Sequence, residues 1–163
     1  MTSGLVTPVV LAAITSNGKI LLLRREREPY VGLWSLPGGK VNSSELITDA
    51  IKREVYEETE LRVISVTFLG MVSELLIENK RTIAGHLIAV FRTEVEPGRV
   101  KTSDEGSLEW FIVDTLEKMK EKIIPTDYLI INEMAFSNAC RAFTCLVERT
   151  GLNYSLTEVL RIQ

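Results

Sequence analysis

The chain has 163 residues, a length that suits one domain with a substantial hydrophobic core. Its hydrophobic fraction of 45% and charged fraction of 25% are ordinary for a globular protein. A net charge of −3 argues against the broad basic surface that binding of long nucleic acids requires, although local arginines or metal ions can still hold a small anionic ligand.

Targeting signals are not evident in the sequence. No segment approaches the ~20 apolar residues of a membrane span, so we expect no membrane partner. The short apolar run near the N-terminus follows no basic region, which argues against a signal peptide. Cys140 and Cys145 are five residues apart in a stretch with helical spacing, which disfavours a disulfide between them. We therefore expect reduced, buried cysteines in a cytoplasmic protein.

The first forty residues are read as strands and turns. Two apolar, β-prone runs, 8–15 and 19–24, flank Asn17-Gly18, which predicts a hairpin. A short strand is predicted at 33–36, and the following Pro37-Gly38-Gly39 predicts a turn.

The remainder alternates between strands and helices. A helix is predicted over 47–59, and two long strands, 62–77 and 82–95, are predicted around a polar turn. A polar loop then leads to a strand. The later predicted elements are a strand at 108–113, a short helix at 114–120 capped by Asp114, a helix over 127–149 that Gly151 ends, and an amphipathic tail over 152–163. The tail either closes the sheet or meets a second subunit.

Three glutamates, Glu54, Glu57 and Glu58, share one sector of the predicted helix over 47–59 with its apolar residues. Acids crowded onto an inward face repel one another and are costly to desolvate unless a cation holds them together. Hard divalent ions such as Mg²⁺ take oxygen ligands of this kind, so the pattern favours a metal site. From the carboxylates alone, a solvent-exposed glutamate-rich helix end stays an open alternative.

The complete string around these acids resembles the signature of the Nudix hydrolases. It consists of Gly39, five residues, Glu45, seven residues and then Arg53-Glu54-Val55-Tyr56-Glu57-Glu58, within a match of 23 residues that ends at Leu61. Pro37-Gly38 before it also follows the family style. One position departs, because Glu60 stands where the family has a glycine that would form the left-handed cap of the helix. A glutamate in that conformation costs roughly 1 kcal/mol.

The resemblance implies an α+β fold, an α/β/α sandwich with a mixed β-sheet, formed by one domain over residues 1–163. It implies metal-assisted hydrolysis of a diphosphate linkage by a water molecule, with Mg²⁺, or alternatively Mn²⁺, as cofactor. By position, Glu54, Glu57 and Glu58 would be the metal ligands, together with the backbone carbonyl of Gly38. Arg53 would orient one of the carboxylates, and Glu45 would brace the loop before the helix.

Further site residues are assigned outside the signature. Glu105, in a loop similar to that of MutT-type members, would bind metal or take the proton of the water; the alternative is a solvated acidic loop beside Lys101. Arg24 and Arg25 end a strand before the signature and would hold phosphate, unless they are surface charges.

Three other residues have two interpretations each. Trp34 either belongs to the core or lines the pocket for the base. His86 lies in an apolar strand, which favours a satisfied core position over catalysis. Asp127 either caps a helix or reads a purine edge, as a polar side chain near this position does in MutT-like enzymes.

The sequence motifs LLLRR, GLWSLPGGK, DEGSLEW and PTD are MutT-like and favour a nucleoside triphosphate, in particular an oxidised purine such as 8-oxo-dGTP, as the small-molecule substrate. The products would be a monophosphate and pyrophosphate. A nucleotide-sugar pyrophosphatase for ADP-ribose is the alternative, although SELLIENK lacks the proline often found there in such members. A dinucleoside polyphosphate substrate and a homodimer also stay open. A catalytically silent nucleotide-binding module is disfavoured, since all four signature charges, Arg53 and the three glutamates, are present.

Overall fold

The computed structural model describes residues 5–100 and 106–162, in which ten strands form two sheets alongside a few helices. The strands are β1 Thr7–Ala13, β2 Thr15–Ser16, β3 Lys19–Arg25, β4 Trp34–Ser35, β5 Gly38–Lys40, β6 Val63–Glu78, β7 Arg81–Val95, β8 Gly106–Ile112, β9 Arg141–Thr150 and β10 Asn153–Ile162. The helices are α1 Ile47–Thr59, a 3₁₀ helix Val113–Lys122, and α2 Pro125–Ile130, which continues as a π-helical turn Ile131–Ala135.

The larger sheet has the strand order β10-β9-β6-β7-β1-β5. It is mixed, because β1 runs parallel to β7 and β6 runs parallel to β9, whereas the other neighbours are antiparallel. The smaller sheet is built on β3, which pairs with β2, β4 and β8. The predicted α+β class with a mixed sheet is confirmed.

Both predicted hairpins form around two-residue turns. Asn17 and Gly18 have φ of 48° and 73°, and Asn79 and Lys80 have φ of 51° and 63°. Positive φ at both central residues matches the right-handed twist of the flanking strands, which is why Asn-Gly favours this turn. The long pair β6–β7 agrees with the predicted strands to within one residue at every boundary.

Strand β1 is buried on both of its faces. Val10 and Ala12 belong to a cluster that includes Ala50, Ile51 and Val55 of α1. The alternate residues Leu11 and Ala13 belong to a second cluster on the other face. Its members from the segment after the 3₁₀ helix are Ile123, Ile130, Ile131, Met134 and Ala135. The sheet is therefore sandwiched between α1 on one side and the α2 segment on the other, with its strands supplying both cores.

The predicted turn at Pro37-Gly38-Gly39 is in part a strand. Gly38–Lys40 forms β5, which pairs with β1 so that Val10 lies opposite Gly39 and Leu11 opposite Gly38. A Cβ at Gly38, whose φ is 149°, would lie 2.0 Å from the carbonyl oxygen of Val10. The glycine is therefore required by the close approach of the two backbones rather than by a turn.

The predicted helix over 127–149 is wrong beyond residue 135. Residues 141–150 form β9, which pairs in parallel with β6 and antiparallel with β10. Phe143, Cys145 and Val147 are buried at every second position, which is strand periodicity, whereas Cys140 is exposed rather than buried. The helical interpretation arose because positions 140, 143 and 147 also have helical spacing. Gly151 lies in the turn of the β9–β10 hairpin, at φ 64°.

The C-terminal tail is strand β10, which forms an edge of the larger sheet. Of the two alternatives left open for the tail, closing the sheet is therefore the one observed within this chain. Neither cysteine forms a disulfide. Across the described residues, no helix combines the length and apolar character needed to span a membrane.

Helix α1 begins and ends at the predicted residues, Ile47 and Thr59. Glu60 follows it in the left-handed region, with φ 58° and ψ 9°, and its backbone N–H donates to the carbonyl of Tyr56 at 2.8 Å. The chain thus ends the helix with the geometry that a glycine would favour, while a glutamate occupies the position.

We predict that Glu60→Gly raises the free energy of unfolding by up to about 1 kcal/mol, because glycine relieves the left-handed strain and loses only part of that gain to its greater freedom in the unfolded chain. Chemical denaturation measures the change. Glu60→Ala is the matched control, since it removes the same side chain but keeps the Cβ, and it should give no gain. Equal stabilisation by both variants would attribute the effect to the carboxylate.

Candidate active site

The inward face of α1 carries two buried carboxylates close to β5. Glu54 and Glu58 are only 8% and 2% exposed, whereas the side chain of Glu57 is 57% exposed. The apolar residues of the same face, Ala50 and Ile51, are fully buried one turn earlier. The predicted change along this face from apolar residues to acids is therefore observed.

Arg53 gathers the acidic groups around a single guanidinium. Its Nη1 lies 2.7 Å from Oε1 of Glu54 and 3.1 Å from Oε2 of Glu57. Its Nη2 donates to the carbonyl of Lys40 at 3.0 Å and to Oε1 of Glu45 at 2.6 Å, and its Nε donates to Oε2 of Glu45 at 3.0 Å. These contacts, with Glu45 foremost, raise the pKa of Arg53 above its usual value. We call this set of contacts the Arg53 clamp.

Glu45 fixes the loop that leads into α1. It accepts two hydrogen bonds from the Arg53 guanidinium and one from the backbone N–H of Asn42, at 2.8 Å. These bonds, that of Arg53 being the strongest, lower the pKa of Glu45 to about 2. Glu45 is therefore ionised at any physiological pH and ties the loop to the helix.

The backbone of β5 contacts the carboxylates of α1. The N–H of Gly38 donates to Oε2 of Glu58 at 2.9 Å. A Cβ at Gly39 would lie 2.5 Å from the carboxyl carbon of Glu54, so a larger residue there would displace this carboxylate. Within residues 5–100 and 106–162, no three His, Cys, Asp or Glu side chains converge as a ready cluster of metal ligands. The carboxylates are arranged instead by Arg53 and by the β5 backbone.

A cavity of about 610 Å³ opens beside these groups. Glu54, Gly38, Gly39 and Lys40 line it together with residues from β3, β6, β7 and α2. Its volume lies within the range usual for small-molecule sites. Glu54, on the acidic face of α1, therefore borders the same cavity as residues of the sheet.

Arg24 and Arg25, which were both predicted to hold phosphate, point to opposite faces of β3. Arg25 lines the cavity and donates from Nε to the carbonyl of Pro29 at 3.0 Å. Arg24 is exposed and bonds to the carbonyl of Gly32 at 3.3 Å, and it is absent from the described residues that line the cavity. Successive residues of a strand point to opposite faces, so only one of the pair can reach the site.

Of the remaining predicted residues, Trp34 packs edge-on against Phe111, with ring centroids 4.7 Å apart, at the margin of the main core. Among the described residues it is not part of the cavity lining, so the geometry favours the core interpretation. Glu105 lies outside the described residues, and its assignment stays a prediction.

Asp127 lies in the first turn of α2 and lines the cavity while only 4% exposed. Its Oδ2 accepts a hydrogen bond from the backbone N–H of Leu36 at 2.7 Å. It does not cap α2, whose N-cap position is Ile124. Burial, reinforced by the nearby Glu74, raises the pKa of Asp127 to about 7, although the Leu36 bond and Arg25 oppose the shift.

Glu74, a buried glutamate of β6 that also lines the cavity, is not among the site residues predicted from the sequence. Its Oε1 accepts from the hydroxyl of Tyr30 at 3.2 Å and lies 2.8 Å from Nδ1 of His86, while its Oε2 accepts from the hydroxyl of Thr126. We call these four side chains the Glu74 network. Burial, and then Glu74, raise the pKa of Tyr30, which keeps its phenol a donor. The available signal was a glutamate at an inward position of a strand, between the buried Val72 and Leu76.

Comparison with known proteins agrees with this geometry. The family model of the NUDIX domain matches residues 6–133, which is most of the chain. The chain therefore belongs to the Nudix hydrolases, and by class it is a nucleotide pyrophosphohydrolase.

Individual relatives differ in their named substrates. The chain is 36% identical over 121 residues to an ADP-ribose pyrophosphatase from Methanocaldococcus jannaschii, across 71% of this chain and 69% of the relative. It is 29% identical over 153 residues to an oxidized purine nucleoside triphosphate hydrolase from Mus musculus, across 91% and 93%. A mutator MutT protein from Bacillus halodurans shares the fold at a TM-score of 0.77 and 24% identity, over 96% of this chain and 97% of that one.

The raised pKa of Asp127 predicts a pH-dependent stability. Between about pH 4 and pH 7 the native carboxyl keeps a proton that the unfolded chain has lost, so the free energy of unfolding should fall with rising pH by up to about 1.4 kcal/mol per unit. Above pH 7 the contribution is constant. Asp127→Asn lacks this dependence, so the difference between wild type and variant in denaturation midpoints should change over that interval. Parallel curves from pH 4.5 to 8 would contradict the shift.

Proposed function

We propose that this Nudix hydrolase cleaves a nucleoside triphosphate into the monophosphate and pyrophosphate, with oxidised purines such as 8-oxo-dGTP as the preferred bases. The observation that carries the proposal is the cavity that Glu54 of α1 lines together with the buried polar residues Asp127 and Glu74. A nucleotide has the matching pattern, since it carries charged phosphates at one end and a polar base at the other.

The carboxylates at the α1 end of the cavity favour a divalent cation as cofactor. Nudix hydrolases generally use divalent metal ions, and carboxylates with a backbone carbonyl are the hard oxygen donors that Mg²⁺ or Mn²⁺ prefers. The residues that would hold the ion are Glu54, Glu57, Glu58 and the carbonyl of Gly38. When bound, such an ion neutralises phosphate oxygens and lowers the pKa of a coordinated water.

The chain's own groups prepare this end of the cavity. Arg53 holds Glu54 and Glu57 in fixed orientations through charged hydrogen bonds, which reduces the rearrangement needed when substrate arrives. Arg25, rather than Arg24, is the cation of the pair placed to contact a phosphate, because it lines the cavity. Glu105 is proposed as the acceptor of the proton from the attacking water.

The other end of the cavity supports recognition of a base. Asp127, with a pKa near 7, can present a carboxyl or a carboxylate to a purine edge, and Leu36 holds one of its oxygens in place. Similarity to the mouse enzyme over nearly the whole length of both chains supports an oxidised purine triphosphate.

ADP-ribose is the second candidate substrate. The observation that favours it is the 36% identity to the archaeal ADP-ribose pyrophosphatase, which is higher than the identity to the mouse enzyme although over a shorter segment. A silent nucleotide-binding module is disfavoured, because Arg53 and all three glutamates are present, with Glu54 and Glu57 bonded to Arg53 and Glu58 to the backbone of Gly38.

We predict that Glu57→Gln lowers kcat about 100-fold or more while leaving the free energy of unfolding nearly unchanged, because the side chain is largely exposed. Mg²⁺ should raise the melting temperature of the wild type, and less so that of the variant. Asp49→Asn is the matched control, since it removes a carboxylate from an exposed position of the same helix. Near-normal turnover in Glu57→Gln, or activity that survives EDTA, would defeat the assignment.

A substrate panel with Mg²⁺ separates the two candidates. It contains nucleoside triphosphates, 8-oxo-dGTP, ADP-ribose and dinucleoside polyphosphates, and it detects phosphate and pyrophosphate separately. We expect a triphosphate to give the highest kcat/KM and to release pyrophosphate, with ¹⁸O from solvent entering one product only. A strong preference for ADP-ribose over every triphosphate would reject the first candidate and retain the pyrophosphatase class.

A further inference from the structure

We propose that His86, oriented by Glu74, determines which base this enzyme accepts, by accepting a hydrogen bond from an exocyclic amino group of the base. The inference rests on the proposed function in one respect, namely that the cavity holds the base of a nucleotide. His86 is thus a specificity residue, and Glu74 is a positioning residue that acts through it.

The two side chains are brought together by the register of the sheet. Glu74 and His86 are direct cross-strand partners in β6 and β7, so both project from the same face. Both line the cavity, where Glu74 is fully enclosed and the side chain of His86 retains 19% exposure. The imidazole therefore lies between a buried anion and the space available to a ligand.

The contact with Glu74 fixes the tautomer of the imidazole. A carboxylate only accepts hydrogen bonds, so Nδ1, which lies 2.8 Å from Glu74, carries the hydrogen. In the neutral ring Nε2 then has a lone pair and is an acceptor. Among residues 5–100 and 106–162, Nε2 makes no hydrogen bond to the protein.

Tyr30 and Thr126 bond to Glu74 rather than to His86, so Nε2 of His86 stays available to a ligand. Tyr30 and Thr126 both donate to Glu74, so with His86 the carboxylate receives three donors. Its hydrogen-bonding capacity is largely used within the protein, which makes it a rigid support rather than a contact for the base. Asp127 lies beside the network as a further oxygen acceptor when ionised.

A lone pair on Nε2 discriminates between bases by the groups they present. An amino group donates to it, whereas a carbonyl at the same place would meet it lone pair to lone pair and would leave two acceptors unsatisfied. Sites that offer a fixed hydrogen-bond partner reject analogues that lack the matching group. Guanine, 8-oxoguanine, adenine and cytosine carry an exocyclic amino group; hypoxanthine and uracil do not.

The chain allows a direct test, because His86 is its only histidine. Protein labelled with ¹⁵N in histidine shows the two ring nitrogens of this residue alone. In the wild type at pH 8 we expect the Nδ1–H tautomer, and in Glu74→Gln a shift toward the other tautomer. GMP, AMP, CMP, IMP and UMP are then titrated with Mg²⁺ present, since as reaction products they are not hydrolysed. At least one amino-bearing monophosphate should shift Nε2 at saturation, and IMP and UMP should not.

Enzyme kinetics are the second test of the role of His86, and they decide the outcome if no monophosphate binds. For wild type we expect kcat/KM for GTP to exceed that for ITP, or that for CTP to exceed that for UTP, by at least about tenfold. His86→Phe keeps a ring without nitrogen and should bring that ratio close to one, mainly through KM. Tyr30→Phe is the matched control, because it removes a different donor from the same Glu74 oxygen and should keep the ratio.

An Nε2–H tautomer in the wild type, a shift of Nε2 by IMP or UMP as large as that by any amino-bearing monophosphate that binds, or an unchanged base ratio in His86→Phe would overturn the inference. These outcomes are separable from failure of the proposed function. Hydrolysis of the panel without any involvement of His86 removes only this specificity role, whereas absence of Mg²⁺-dependent hydrolysis of every nucleotide removes the function itself.

Discussion

The Arg53 clamp is the interaction on which the arrangement of the acidic groups of α1 depends. One guanidinium bonds to the loop through Glu45, to β5 through the Lys40 carbonyl, and to its own helix through Glu54 and Glu57. The geometry of a guanidinium suits this task, because its donors form a planar fork that is charged at every relevant pH. A lysine at this position would offer a point charge and could not hold three elements at fixed angles.

The clamp works because the backbone of β5 approaches α1 unusually closely. Gly38 lies against the backbone of β1 and has no room for a side chain, and a side chain at Gly39 would displace the carboxylate of Glu54. The N–H of Gly38 contributes a hydrogen bond to Glu58 in return. Strand β1, buried on both faces, fixes the position of β5 and hence of the carboxylates. The position of the acidic face is thus set by a strand that is buried on both faces.

Local patterns were enough to predict some parts of this structure. The bounds of α1, the inward direction of Glu54 and Glu58 and the two hairpins follow from periodicity and turn chemistry, which act over a few residues. Residues 141–150 were misassigned because Phe143 and Val147 fit a helical spacing as well as an alternating one. Only the pairing of β9 with β6, a contact between distant segments, decides between these two periods.

The Glu74 network could not be predicted from local patterns either, because its members come from segments far apart in the chain. A regular hairpin around Asn79-Lys80 would place Gly85 opposite Glu74, but the register shifts by one residue beyond Leu76, and His86 takes that place. Tyr30 and Thr126 come from loops and helices far away in the chain. The choice of Arg25 over Arg24 likewise required the orientation of β3 relative to the cavity.

The one-residue shift in β7 decides which side chain lies opposite Glu74. Because side chains alternate along a strand, gain or loss of a single residue in the β6–β7 hairpin exchanges the set that faces the pocket for the set that faced away. The helix α1, the loop with Glu45 and β5 lie outside this hairpin, and β7 is linked to β5 through β1. A change of register in this hairpin would therefore alter which side chains face the cavity without any change in the sequence of α1, of β5 or of the loop that carries Glu45.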